Sequence, residues 1–150
     1  MALALTSSAF GPGAEIPSKY TCEGSDLAPA LSWSGAPART KSLALVMDDP
    51  DAPRGTWVHW MVVDLPPSAA SLPEGGALPA GARSGTNSWN RTGYGGPCPP
   101  SGRHRYFFKL YALDALLPQL AKPNKEQLES AMKGHILEQA QLMGTYQKKR

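Results

Sequence analysis

Trp57-Val58-His59-Trp60-Met61-Val62-Val63-Asp64 is the stretch on which the fold turns. Under strand alternation Trp57, His59, Met61 and Val63 share one side, and Val58, Trp60 and Val62 the other. Both sides are largely apolar, which marks a central strand covered on both faces and makes His59 a polar group set into a hydrophobic surface. A second run, His104 to Leu113, reads the same way. His104, Tyr106, Phe108, Leu110 and Ala112 share a face opposite Phe107, Tyr111 and Leu113, so two polar side chains stand at its N-terminal end.

Outward from these runs, Ser42 to Asp48, Leu31 to Trp33 and Leu3 to Thr6 also alternate or run apolar between breaks. Fifteen Gly and fifteen Pro supply those breaks, and the spacing predicts an antiparallel sandwich or barrel. Leu65 to Gly102 is long for a connection without regular structure, and such segments are functional or disordered. Trp89, Tyr94 and Pro97 within it favour an ordered loop draped over something. After Pro123 the period changes: Asn124 can cap, Gln127 lies three residues on, and Leu128, Met132, Ile136 and Met143 recur at helical spacing. This predicts a C-terminal helix from about Asn124 to Met143, ended by Gly144. Its Met and Leu stripe faces the sheet, and His135 is structural or exposed.

The length suits a single domain over 1–150. With 41% apolar and 18% charged residues, the composition is globular rather than disordered. The net charge of +3 owes part of its excess to Lys148, Lys149 and Arg150, read as a solvated tail. There is no basic helix and no basic run interleaved with aromatics, so nucleic acid is not an expected partner. Met1 to Phe10 lacks a positive n-region, and no apolar run approaches the roughly 20 residues that span a bilayer. The expectation is a cytoplasmic protein with no integral membrane association, and no basic amphipathic helix supports lying on a bilayer either. Cys22 and Cys98 lack CxxC spacing and read as free thiols in a reducing cytosol, with a disulfide the less favoured alternative.

Four polar elements stand at the ends of the apolar runs or in the loops after them: Asp48-Asp49-Pro50-Asp51-Ala52-Pro53, Trp57-Val58-His59-Trp60, Gly95-Gly96-Pro97-Cys98-Pro99-Pro100 and His104-Arg105-Tyr106. Each alone is weak, since Asp-Pro-Asp-Ala-Pro is a plausible turn and a lone His in an apolar strand is more often a satisfied core residue. In this order and at these intervals they resemble the motif set of the phosphatidylethanolamine-binding proteins, in the short microbial form called Raf-kinase-inhibitor-like. The resemblance runs from Leu3 to about Tyr146 and includes Tyr20-Thr21-Cys22-Glu23-Gly24, Leu31-Ser32-Trp33, Arg91-Thr92-Gly93-Tyr94 and Gly134-His135-Ile136-Leu137.

The resemblance implies a mainly β fold, an antiparallel β-sandwich with peripheral helices including the C-terminal one. It also implies a pocket at the strand ends for phosphate, phosphoryl-ethanolamine or acetate-like anions. Asp49, Asp51, Trp57, His59, His104 and Tyr106 match the family's pocket residues. Gly96 and Pro97 match a rim whose backbone N–H faces the anion, with the register across Gly96 to Pro100 left open. Ala28-Pro29 stands where the family has Ser-Pro, and Ser88-Trp89-Asn90 replaces an Asp-Phe-Gly-like run, which bears on ligand size and partner choice. The turn Arg54-Gly55-Thr56 is short, so the eukaryotic kinase-regulating surface is not assumed to carry over.

The residues suit the task in part. His59 and His104 can donate N–H, Tyr106 O–H, and a glycine amide can approach an oxygen closely. Asp49 can orient a histidine, accept the O–H of a monoprotonated phosphate or face a ligand ammonium. Trp57 and Trp60 can form an apolar or cation–π wall, Trp60 equally the core. The expected function is non-catalytic binding of a small anionic ligand or phospholipid head group, without cofactor or metal. Inhibition or regulation of a protease or kinase follows from the resemblance to some family members. One alternative is an acid–base enzyme using Asp49, His59 and His104, with or without a metal, although no GxSxG or HExxH signature accompanies them. Another is a regulatory protein acting through its surface, with the pocket vestigial. Cys98, in the rim loop, is a structural thiol by default and a candidate low-pKa thiol beside a histidine.

Overall fold

The computed structural model describes residues 2–149; Met1 and Arg150, the latter part of the expected tail, lie outside the described residues. Two antiparallel sheets form. The smaller joins β1 (Ala4–Thr6), β2 (Leu31–Ser34) and β5 (Ser71–Leu72) in the order β1-β2-β5. The larger joins β3 (Ser42–Asp49), β4 (Trp57–Leu65), β6 (Arg83–Ser84), β7 (His104–Leu113) and β8 (Ile136–Tyr146) in the order β6-β4-β3-β7-β8.

The main core lies between the sheets. Leu5, Leu31, Trp33 and Leu72 of the smaller meet Leu43, Leu45, Met47, Trp60, Val62, Phe108 and Leu110 of the larger. The outer face of the larger sheet is covered as well. Ala44, Val46, Met61 and Val63 pack beneath Leu117 and the helix α1 (Lys125–Met132), which contributes Leu128 and Met132. Double coverage accounts for β3 being buried at every residue and for its almost unbroken apolar run.

The pairing of β3 with β4 is not regular. Met47 opposes Trp60 while Asp48 opposes Val58, so His59 is an extra residue on β4. Such a bulge re-aims side chains. Val58 packs with Met61 and Val63 on the outer face, whereas His59 lines a pocket with Trp57. Simple alternation put His59 on the side of Met61 and Val63; the bulge sets it apart from them.

The C-terminal helix is much shorter than expected. Asn124 and Gln127 make the predicted capping box, but the helix stops at Met132. Gly134 turns the chain with φ of 84°, and β8 follows as an edge strand paired along β7 from His104↔Tyr146 to Leu113↔Ile136. Leu128, Met132 and Ile136 share a helical interval, but Ile136 belongs to the strand and is 43% exposed. Gly144 is mid-strand and ends nothing: a Cβ there would lie 2.6 Å from Ile16 Cγ1 and 2.8 Å from Phe10 Cε2. His135 is exposed and holds Asp114 Oδ1 at 2.8 Å.

The expected free thiols are also corrected, while the described tail residues Lys148 and Lys149 are exposed as expected. Cys22 and Cys98 form a disulfide, with no free cysteine among the described residues. Lys149 is tied down, its ammonium to Glu15 and its backbone N–H to Glu23 Oε1 at 2.8 Å. The 65–102 segment is ordered, with β5 and β6 inside it. No helix among the described residues is long and apolar enough to cross a membrane.

Candidate functional site

The inner face of the larger sheet runs out of apolar residues at one end. Alternation along β3 carries Leu43, Leu45 and Met47 on to Asp49, and along β7 it carries Leu110 and Phe108 back to Tyr106 and His104. The β4 bulge adds His59. These four side chains are buried, at 3% exposure for Asp49 and His59, 7% for His104 and 0% for Tyr106. They line a cleft of about 360 Å³ with Trp57, Ala52, Pro53, Trp89, Cys98, Pro99 and Pro100.

Asp49 is the organiser. Its Oδ2 lies 2.6 Å from His104 Nδ1 and its Oδ1 accepts the Asp51 N–H at 2.8 Å. A carboxylate accepts, so His104 carries its proton on Nδ1 and leaves Nε2 as its remaining polar atom. Asp51 is not in the cleft. Its carboxylate takes Arg105 N, Nε and Nη2, all at 2.9 Å, and this fork of donors from Arg105 holds its pKa down at about 2. Asp51 ties the β3–β4 turn to β7 and stands outside the cleft lining.

His59 is held from the other side. Its Nδ1 lies 2.7 Å from Gly95 O, and Gly95 N–H donates to His59 O at 3.0 Å. Burial pushes the imidazole pKa down, against the opposing pull of Gly95 O and Asp49. Trp89 stands edge-on to both His59 and Trp57, with ring centroids 5.1 and 5.4 Å away. It leaves no room at Gly95, where a Cβ would lie 2.3 Å from Trp89 Cζ3.

Tyr106 packs edge-on to His59 at 5.3 Å and roughly parallel to His104 at 6.5 Å. Its hydroxyl is buried with no hydrogen-bond partner among the described residues. Burial, assisted by the charges of Asp49 and Asp51, pushes its pKa far up, so it is a donor at any ordinary pH.

The rim differs from the expectation. The Gly96 N–H points to Asp26 Oδ1 at 2.8 Å, away from the cleft. Pro97 O accepts from Cys22 N at 3.1 Å. Gly96 and Pro97 anchor the loop to the 20–26 segment, and it is Cys98, Pro99 and Pro100 that face the cleft. Two of those three have no N–H, so the rim presents proline rings rather than an amide cradle. The disulfide removes Cys98 as a reactive thiol.

Asp49, Trp57, His59, His104 and Tyr106 are thus brought together, and Asp51, Gly96 and Pro97 stand behind them. Trp89 is the contributor whose place at the wall the sequence did not give; the signal available was a large aromatic in a polar loop. Trp60 belongs to the core, 1% exposed. No three His, Cys, Asp or Glu side chains among the described residues cluster as metal ligands.

The arrangement has known relatives. The family model for phosphatidylethanolamine-binding protein matches residues 6–147. A protein named UPF0098 from Methanothermobacter thermautotrophicus is 48% identical over 148 residues, covering 96% of this chain and 98% of its own. A UPF0098 protein of Chlamydia muridarum is also 48% identical, with 95% and 97% covered. Among solved structures, a phosphatidylethanolamine-binding protein homologue of Chlamydia trachomatis superposes with a TM-score of 0.94 at 46% identity, covering 98% of both chains. Escherichia coli YbcL, described as a member of the mammalian family, gives 0.92 at 32% identity, covering 99% of this chain and all of the other. On a family match across nearly its whole length and relatives at this identity, the chain belongs to the phosphatidylethanolamine-binding protein family.

Proposed function

We propose that the protein binds a small anionic or phosphorylated group in the cleft at the ends of β3, β4 and β7. The observation that carries this reading is the Tyr106 hydroxyl. A buried donor left without an acceptor costs roughly 1–3 kcal/mol, and here it sits beside two imidazoles whose Nδ1 atoms are already committed, to Asp49 and to Gly95. A ligand oxygen supplies the missing acceptor. Trp57, Trp89 and the rim prolines exclude water and would strengthen the bond.

The test is a titration of ¹⁵N-labelled protein near pH 6 with inorganic phosphate and phosphoryl-ethanolamine. Saturable shifts at His59, Tyr106 and the 98–102 segment, lost in His59→Ala, are expected; an unresponsive wild type at millimolar ligand would sink the reading. A second reading, acid–base catalysis, is favoured by the Asp49–His104 pair, which has the geometry of an oriented general base. Turnover of a phosphomonoester or carboxylic ester, abolished in His104→Ala, would promote it above binding.

A further inference from the structure

The cleft is poor in positive charge. Its eleven lining residues include no Lys or Arg, and Asp49 is the one carboxyl side chain among them. Arg105 is spent on Asp51, and Lys109 and Lys125 on Asp48. A dianion entering here meets a carboxylate and finds no Lys or Arg to compensate it.

The donor and acceptor pattern sharpens this. Gly95 O can only accept, so His59 carries its proton on Nδ1. Tyr106 packs on the ring from β7 and Trp89 from the loop, where the Gly95 and Gly96 backbone also meets it; Asp49 and Asp48 of β3 act on it by charge, and its burial favours the uncharged form. A neutral ring protonated on Nδ1 has a lone pair on Nε2. His59, which lines the cleft, then offers it an acceptor and not the donor that an anion site would be expected to provide. Tyr106, 5.3 Å away between ring centroids, is the donor. His104, whose Nδ1 is turned to Asp49, offers its Nε2 beside that of His59, and one donor among such acceptors suits an oxyacid that has one ionised oxygen and keeps an O–H.

We propose that the cleft selects the hydrogen-bearing monoanion of an oxyacid, above all a phosphomonoester monoanion with an apolar substituent. Tyr106 O–H donates to an ionised ligand oxygen, His59 Nε2 accepts the ligand's own O–H, and the substituent lies against Trp57, Trp89 and Pro53. This rests on the anion-binding reading and narrows it. A phosphodiester head group, which has no O–H to give, is disfavoured, and so is a fully ionised monoester.

Phenyl phosphate and phenyl sulfate separate the terms, because both are aryl oxyanions of similar shape and only the phosphate gains and loses a hydrogen. Calorimetric affinities are measured for both from about pH 5 to pH 8, the sulfate reporting any titration of the protein itself. The phosphate's second ionisation lies near 6, so its affinity relative to the sulfate should fall about 100-fold across this range. At the acid end it should exceed the sulfate at least tenfold. A constant ratio, or sulfate bound as well as phosphate at pH 5, overturns the hydrogen requirement and leaves anion binding standing. Failure of both ligands to bind at every pH overturns both. Independently, ¹⁵N imidazole shifts at neutral pH should show His59 with Nδ1–H and bare Nε2; a proton on Nε2 overturns the proposal.

Discussion

His59 and Gly95 hold each other twice, through His59 Nδ1 to Gly95 O at 2.7 Å and Gly95 N–H to His59 O at 3.0 Å. The reciprocal pair ties the rim loop to β4 and orients the imidazole before any ligand arrives. It also keeps a titratable ring in a place where charging it is costly.

That cost sets a pH dependence. His59 has a folded pKa below its ordinary 6.5, so at acid pH the unfolded chain binds a proton that the native ring resists. Its contribution to stability is complete above about 6.5 and is lost as pH falls. Asp51, held at about 2 against an ordinary 3.8 by Arg105, contributes above 3.8 and loses that contribution as pH falls toward 2. Urea midpoints should therefore decline in two stages on acidification, the first absent in His59→Gln and the second in Asp51→Asn. A wild-type midpoint that stays level from about pH 7 to pH 4 would contradict the buried neutral imidazole.

Tyr106→Phe should act with opposite signs on stability and on binding. Removing an unpartnered buried hydroxyl lifts a desolvation penalty, so the free protein should gain about 1 kcal/mol in denaturant unfolding. The same change removes the donor, and phosphate affinity should drop about tenfold. A variant that loses stability and keeps affinity would place the hydroxyl outside the site.

Thiol titration in guanidinium should find no free thiol without reductant and two with it, since Cys22 and Cys98 are paired. Reduction, or Cys22→Ser with Cys98→Ser, should cost about 2–5 kcal/mol, because the bridge closes a long loop in the unfolded chain. It should also weaken ligand binding, as Cys98 lines the cleft. Disulfides persist in oxidising compartments, so thiols that react at once in freshly isolated protein would argue against the pairing.

Gly144→Ala tests the packing of β8 against the segment at residues 10–16. In β8 the new methyl meets Ile16 and Phe10 at under 3 Å, and overpacking of this kind costs about 1–3 kcal/mol. We expect a lower denaturation midpoint; an unchanged or higher one would place Gly144 away from Ile16 and Phe10.

Much of this protein was legible from its residues alone. The apolar runs of β3 and β4 declare strands buried on both faces, because a covered sheet needs side chains of one kind on both sides. The Asn124 and Gln127 capping box is a local interaction and was read locally. The order of polar motifs carried the resemblance that grouped Asp49, Trp57, His59, His104 and Tyr106, and the neighbouring ends of β3, β4 and β7 bring those five to one cleft. What required the tertiary structure was whatever depends on one segment touching another. The bulge that turns His59 from the side of Met61 comes from a mismatch in register with β3. The strand at Ile136–Tyr146 forms because the edge of β7 offers its backbone a partner, which outweighs a helical interval of three apolar residues. The Cys22–Cys98 bridge, the outward Gly96 amide and the wall supplied by Trp89 all depend on where one long loop comes to rest, and no local pattern in the chain encodes that.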